Sequence, residues 1–252
     1  MTKNNTPTRR TRTITGWLAL CMGFIISFPA AAQGLTPLDT TYALSRGILP
    51  LGEARFRLTP QDGEGCWRYE YQAKPSGIAR LFIGNVSERS DFCIVDGVLQ
   101  SQYFEFKRTD KSEDDYTLHF NWAEKVVRSS SGELRQLEPG MVDRLAQQIQ
   151  VQLWVMERGG QPGEAEIAST KVEDDKTRVY RFRITGTQNI EVPVGRYDTV
   201  RVERVDDPDK STRFWLLPDQ DFLVAQVDQI RKGSEQLKME LKAINTPVVA
   251  AP

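Results

Sequence analysis

The sequence predicts a mainly β protein: a curved antiparallel sheet, half-barrel or barrel-like, with one amphipathic helix packed on its concave face. Three observations carry this expectation. Apolar and polar residues alternate singly through most of the chain, the pattern of strands with one buried and one wet face. Polar breaks rich in Gly, Asp and Ser separate these runs at intervals of roughly 8–12 residues, as in sandwiches and barrels. One stretch, Met141–Arg158, switches to a period of three or four.

Taken in order, residues 1–32 read as a secretory signal peptide. Lys3, Arg9, Arg10 and Arg12 form a basic start, Trp17 to Phe28 an apolar run, and Ala30-Ala31-Ala32 a small-residue cleavage pattern ending at the Ala32–Gln33 bond. The apolar run is short for a membrane-spanning helix and is broken by Pro29. Leu20 is too large for a lipid-attachment signal at Cys21, and Arg12 and Thr13 stand where a twin-arginine signal needs apolar residues. The expected location is therefore the periplasm, with no stable membrane span after cleavage. The expected organisation is a single domain over 33–244 followed by a loose tail, 245–252.

The whole chain carries a net charge of −1, and the leader holds four basic and no acidic residues, so the processed chain is more acidic. No cluster of Lys and Arg marks a nucleic-acid surface. Two cysteines remain after processing, Cys66 and Cys93, and in an oxidising compartment they are expected to pair.

Strand signals follow one another. Trp67, Tyr69 and Tyr71 alternate with Arg68, Glu70 and Gln72. Asp96-Gly97, between Phe92-Cys93-Ile94-Val95 and Val98-Leu99, is a two-residue hairpin signal. Leu118, Phe120 and Trp122 alternate with Thr117, His119 and Asn121; Tyr180, Phe182 and Ile184 with Arg181, Arg183 and Thr185; Leu237, Met239 and Leu241 with Lys238, Glu240 and Lys242. The helix expected over Met141–Arg158 is preceded by Pro139-Gly140, has Asp143 in its first turn and stops at Gly159-Gly160. Val151, Trp154 and Val155 widen its apolar stripe, so it should be buried on more than one side. A second, weaker helix is expected over Ile78–Asn85.

The chemistry-bearing residues are sparse. The single histidine, His119, falls on the polar face of its strand, so no catalytic residue is assigned. No nucleophile elbow, zinc-protease helix, phosphate loop or dinucleotide fingerprint occurs, and no metal or cofactor is expected. Acidic clusters such as Asp206, Asp207 and Asp209 read as solvated turns. The aromatic residues Trp67, Tyr69, Tyr71, Phe120, Trp122, Trp154 and Phe182 are the candidates for lining a ligand cavity; packing in an ordinary β core is their alternative role.

Three segments carry a resemblance: Tyr42–Ala54 (YALSRGILPLGEA), Glu191–Val200 (EVPVGRYDTV), and Thr212–Asp219 (TRFWLLPD) leading into Phe222–Val227. Over roughly residues 40–244 they resemble an exported bacterial family, domain of unknown function 3108. Asn121 and Leu223 depart from the expected aromatic-Asp-Trp and Pro-Val patterns. The family implies export and a β fold, and no activity. A wrapped sheet with an inner helix is also similar to the half-barrel of periplasmic lipoprotein carriers, which implies a Gram-negative periplasm and a concave apolar face suited to an acyl chain.

The leading expectation is thus a non-catalytic periplasmic binding protein for a lipid, lipopeptide or other envelope component. The alternative is a structural or interaction protein of the envelope whose concave face is filled by its own helix, with another envelope protein as partner. A third reading is a glycan-acting enzyme built on paired carboxylates.

Overall fold

A computed structural model describes residues 1–2, 34–82 and 84–245; the expected cleavage site and residues 246–252 lie outside them. Among the described residues fifteen strands form one continuous, unclosed sheet. The first eight make an antiparallel meander: β1 (Leu38–Arg46), β2 (Leu49–Pro60), β3 (Cys66–Pro75), β4 (Val86–Val95), β5 (Val98–Arg108), β6 (Tyr116–Asn121), β7 (Val126–Ser129) and β8 (Leu134–Gln136). The last six make another: β10 (Glu166–Val172), β11 (Thr177–Val192), β12 (Gly195–Arg204), β13 (Lys210–Leu217), β14 (Leu223–Arg231) and β15 (Ser234–Asn245). Almost every strand pairs with its sequence neighbour, as short turns favour.

The two meanders join where β1 pairs with β15. Asp39 locks this seam from inside the pairing. It is buried, accepts from Arg55 Nε at 2.7 Å and from Asn245 Nδ2 at 3.0 Å, and also faces Arg57. The hydrogen bond from Arg55 holds the Asp39 carboxyl below the usual carboxylate range, against the opposing effect of burial. Asn245, expected in the loose tail, is therefore the last residue of β15.

Alternation decides which face is inside. In β2, Ala54, Phe56 and Leu58 are buried while Glu53 and Arg55 face outward. The Asp96-Gly97 turn forms as expected. Both residues take positive φ, at 50° and 77°, and Val95 pairs with Val98. Cys66 and Cys93 stand directly opposite each other in β3 and β4, with Cα atoms 4.0 Å apart, and are joined as a disulfide.

The helix differs from its expected bounds. Residues Met141 and Val142 form a short strand, β9, which pairs in parallel with β10; helix α1 spans Ala146–Glu157. This is the sheet's one parallel pair among the described residues, where an all-antiparallel sheet was expected. Its physical reason is the helix itself: parallel neighbours need a long crossover, and the segment carrying α1 supplies one. The weaker helix expected over Ile78–Asn85 is only a 3₁₀ turn, Gly77–Leu81. Pro75 just before it and Gly84 just after leave too short a run for an α-helix.

α1 lies between the two walls of the curved sheet. Leu145, Ala146 and Ile149 join the large cluster built on Phe56, Phe92, Phe104 and Leu118, while Val151 and Val155 join a second cluster with Tyr180, Phe182, Ile184 and Val202. Trp154, expected on the buried stripe, is only partly buried, as is Leu153 beside it. The helix stops at Gly159 and Gly160, both with positive φ. A Cβ on Gly160 would sit 2.7 Å from the Phe222 ring.

Asp143 seats the start of α1. Its Oδ1 accepts from the Leu145 and Ala146 N–H groups, both at 2.9 Å, and its carbonyl accepts from Gln147 N–H. Its Oδ2 accepts from the hydroxyls of Ser90 on β4 and Ser101 on β5, each at 2.7 Å. All three side chains are fully buried or nearly so. Burial pushes the Asp143 pKa up from 3.8 to about 6, against the lowering effect of its four donors.

Two outcomes are expected. Asp143→Ala should lower unfolding free energy by about 2–4 kcal/mol, since it uncaps the helix and strands two buried hydroxyls. The pH dependence is more specific. A carboxyl whose folded pKa is raised contributes stability that is full below its unfolded pKa and is lost as pH rises through the folded value. Urea unfolding of the wild type, compared with Asp143→Asn, should therefore show the wild type losing relative stability between about pH 4 and pH 6, by up to about 3 kcal/mol, and none above. A flat difference across that window would contradict the assignment. Separately, reduction of the Cys66–Cys93 bridge should lower stability by roughly 3 kcal/mol; an unchanged urea midpoint in reductant would refute a stabilising bridge.

Candidate functional site

The helix fills only part of the trough. Its C-terminal end meets Phe222 and Val200 near the β13–β14 turn, where Leu217 pairs with Leu223. At the opposite end of these strands, Lys210 pairs with Arg231. Between that end and the start of α1 the concave face stays open, as a cleft of about 410 Å³. This volume falls in the range of small-ligand sites.

One wall of the cleft comes from the first meander, through Phe56, Tyr71 and Glu88. The other comes from the second, through Phe182, Phe214, Val227, Leu237 and Met239. Arg144, Leu145, Gln147 and Gln148, at the start of α1, form the floor, and Tyr180, Lys171 and Arg204 stand at the rim. The strands place these residues by parity: each lies on the inward face, above the level at which the helix plugs the trough.

Glu88 and Arg144 form the floor's ion pair. Arg144 Nε lies 3.0 Å from Glu88 Oε2, a second guanidinium nitrogen engages Oε1, and the guanidinium stacks 5.0 Å from the Phe106 ring centre. Glu88 is almost wholly buried, so the pair is desolvated on one side. Burial, reinforced by the Glu88 charge, pushes the neighbouring Tyr71 hydroxyl up to about 12, so it stays protonated at neutral pH.

At the rim the two cations frame one ring. Lys171 Nζ lies 4.8 Å and the Arg204 guanidinium 4.3 Å from the Tyr180 centroid. Lys171 pairs with Glu173 at 3.0 Å and Arg204 with Asp206 at 2.5 Å. The hydrogen bond to Asp206 raises the Arg204 pKa, so this rim stays charged but locally neutral in sum.

The residues singled out in the sequence are thus dispersed. Tyr71 and Phe182 line the cleft. Tyr69 and Phe120 are buried in the main cluster, Trp67 packs against it, and Trp122 donates its indole N–H to the Ser101 carbonyl at 2.7 Å. None of these four is on the lining of this cleft: Tyr69 and Phe120 are buried beside it, and Trp67 and Trp122 are partly buried against the same cluster. Trp154 belongs to a separate groove of about 470 Å³ beyond the end of α1. That groove is lined by Glu157, Arg158, Gln161 and Glu164 together with Trp154, Pro162, Ala165 and Ile184, so its wall is mixed, with a single aromatic ring. His119 is exposed on the outer face, edge-on to Tyr103.

Phe56, Phe214, Leu237 and Met239 line the cleft although they were not singled out. Alternation reveals that each points inward. It does not reveal where along the trough the helix stops, and that boundary separates lining from core. Among the described residues no three His, Cys, Asp or Glu side chains converge as a metal site, and Glu88 is the single carboxylate on the cleft lining. No described helix is long and apolar enough to cross a membrane.

A comparison with curated proteins returns no match. Solved structures resemble the fold. The crystal structure of a beta-barrel-like protein of domain of unknown function DUF1849 from Brucella abortus aligns with a TM-score of 0.51 and 14% identity, over 84% of this chain and 98% of that one. A Bacteroides fragilis protein with a YmcC-like fold aligns at TM-score 0.43 and 11% identity, over 84% and 97% of the two chains. MucB aligns at 0.36 and 13%, over 88% and 56%. The profile of the family described as "Protein of unknown function (DUF3108)" matches residues 41–242, and the chain belongs to that family.

Proposed function

We propose that this chain is a non-catalytic binding protein of the periplasm that holds the apolar part of a lipid or lipopeptide in the open half of its trough. The observation that carries this reading is the cleft: a space with aromatic and aliphatic side chains on both walls, polar Gln147, Gln148, Thr212 and Gln229 among its lining, and a charged but internally paired rim, left open by a helix that fills only the other half. An apolar chain would displace water from Phe56, Phe182, Phe214, Leu237 and Met239 without stranding a buried charge, since Glu88 and Arg144 satisfy each other. The polar end of such a ligand would meet Lys171, Arg204 and Tyr180. The periplasmic location rests on the leader-like composition of residues 1–32.

Two other readings have less support. A filled core describes the half of the trough that α1 occupies, and the cleft departs from it. A glycosidase needs two converging carboxylates, and the lining of the cleft supplies one, already bound to Arg144.

The test is direct. Native mass spectrometry of protein purified from a periplasm should show a co-purifying amphiphile released on unfolding. Leu237→Trp places a large ring at a half-exposed wall position, so it should weaken binding of a fluorescent fatty-acid probe at least about tenfold while leaving the melting temperature nearly unchanged. Absence of any amphiphile together with equal probe binding by the variant and the wild type would overturn the proposal and favour the filled-core reading.

A further inference from the structure

The turn joining β1 to β2 and the loop joining β3 to β4 lie at the same end of the sheet. Ser76 N–H donates to the Leu51 carbonyl at 2.9 Å and ties the loop to the root of the hairpin. Together they display Ile48, Leu49, Ile78, Leu81 and Phe82 to solvent. Ile48 is fully exposed and Phe82 is 77% exposed. Ala79 alone in the 3₁₀ turn is buried, so the turn holds its large apolar side chains outward instead of folding them into the core. An apolar group of this size, confined to two adjacent protruding loops, is unusual on a soluble surface.

The charges within these two segments are of one sign. Residues 46–52 and 74–82 contain Arg46, Lys74 and Arg80 and no acidic residue, and all three cations are exposed. Among the described residues none of the three forms an ion pair, whereas most of the nearby acids are engaged: Glu53 by Lys242, Glu235 by Gly47 N–H and Lys238, and, in the β5–β6 loop that hydrogen-bonds to Asn85, Asp110 and Asp114 by the Arg108 guanidinium and Asp115 by the Arg108 N–H. Apolar tips with unpaired cations set just behind them match the layering of an anionic bilayer surface, where side chains enter the acyl boundary and cations remain among phosphates.

We infer that this end of the sheet docks on anionic lipid membranes by inserting the Ile48–Leu49 and Ile78–Phe82 tips. The cleft opens at the same end. Leu237 lines the cleft, and its neighbour Lys238 pairs with Ser45, one residue before Arg46. Docking would therefore bring the mouth of the cleft to the lipid surface, but the surface is argued from its own exposure and charge and stands whether or not the cleft holds a ligand.

The experiment is flotation of the exported protein with vesicles of equal phosphatidylglycerol and phosphatidylcholine, against vesicles of phosphatidylcholine alone. The wild type should float with the anionic vesicles, and less so as salt is raised. Ile48→Ser combined with Phe82→Ser should reduce partitioning at least about tenfold, and Arg80→Glu severalfold. Both variants should keep the wild-type melting temperature and fatty-acid-probe binding, because the altered side chains touch neither the core nor the cleft. Phe82→Trp should show a blue-shifted emission that brominated lipid quenches. Equal partitioning by wild type and the double variant, no partitioning by the wild type at low salt, or loss of self-association as the variant's only defect would each overturn the inference, the last assigning the tips to a contact between copies.

Discussion

The architecture depends on how Asp143 and Arg144 grip the inner face of β4 and β5. After β8 the chain has to cross from one edge of the sheet to the other before the second meander begins. It crosses through the trough. Ser90 and Ser101 bind the Asp143 carboxylate, Glu88 binds the next residue, Arg144, and α1 starts immediately afterwards. That sequence of contacts fixes the depth at which the helix enters, so it fixes which half of the trough is filled and which stays open.

Position and stability have different sources here. Most of the stabilisation of α1 comes from apolar contact on two sides, through Ile149 to the larger cluster and through Val151 and Val155 to the smaller. The buried polar contacts add little net energy, because removing Glu88 and Asp143 from water offsets much of what their partners return. Apolar packing alone would let the helix slide along a trough of similar side chains. Four directed hydrogen bonds to one carboxylate allow a single seating. The same placement leaves Phe182 shared between the helix-packing cluster and the wall of the cleft.

Much of the fold was legible in the sequence because it is local. Ala54-Phe56-Leu58 and Tyr180-Phe182-Ile184 display a period of two, Asp96-Gly97 specifies its own turn, and Cys66 and Cys93 sit on neighbouring strands of one meander. What was not legible is non-local. In β4 the inward residues Glu88 and Ser90 are polar, so alternation marks neither face, and only their partners 53 and 56 residues further along, at Asp143 and Arg144, explain them. Met141 and Val142 carry apolar residues in helical phase with Leu145 and Ile149, yet they pair with β10 because the edge of the sheet lies within reach. For the same reason the aromatic residues could be assigned to the inner face but not to a height within it, and Tyr69 and Tyr71, two residues apart, fall on opposite sides of the boundary between core and cleft.

The account therefore turns on one physical claim, that the seated helix leaves a hollow able to take an apolar chain between Tyr71 and Phe214. The most direct measurement is anomalous diffraction from crystals of the exported protein grown with a long-chain fatty acid brominated near its methyl end. The account predicts a bromine peak in the cleft, within contact distance of Phe56, Phe214 or Met239, with α1 unmoved. Crystals showing these side chains collapsed onto one another, with bromine only on the outer surface or nowhere, would contradict it.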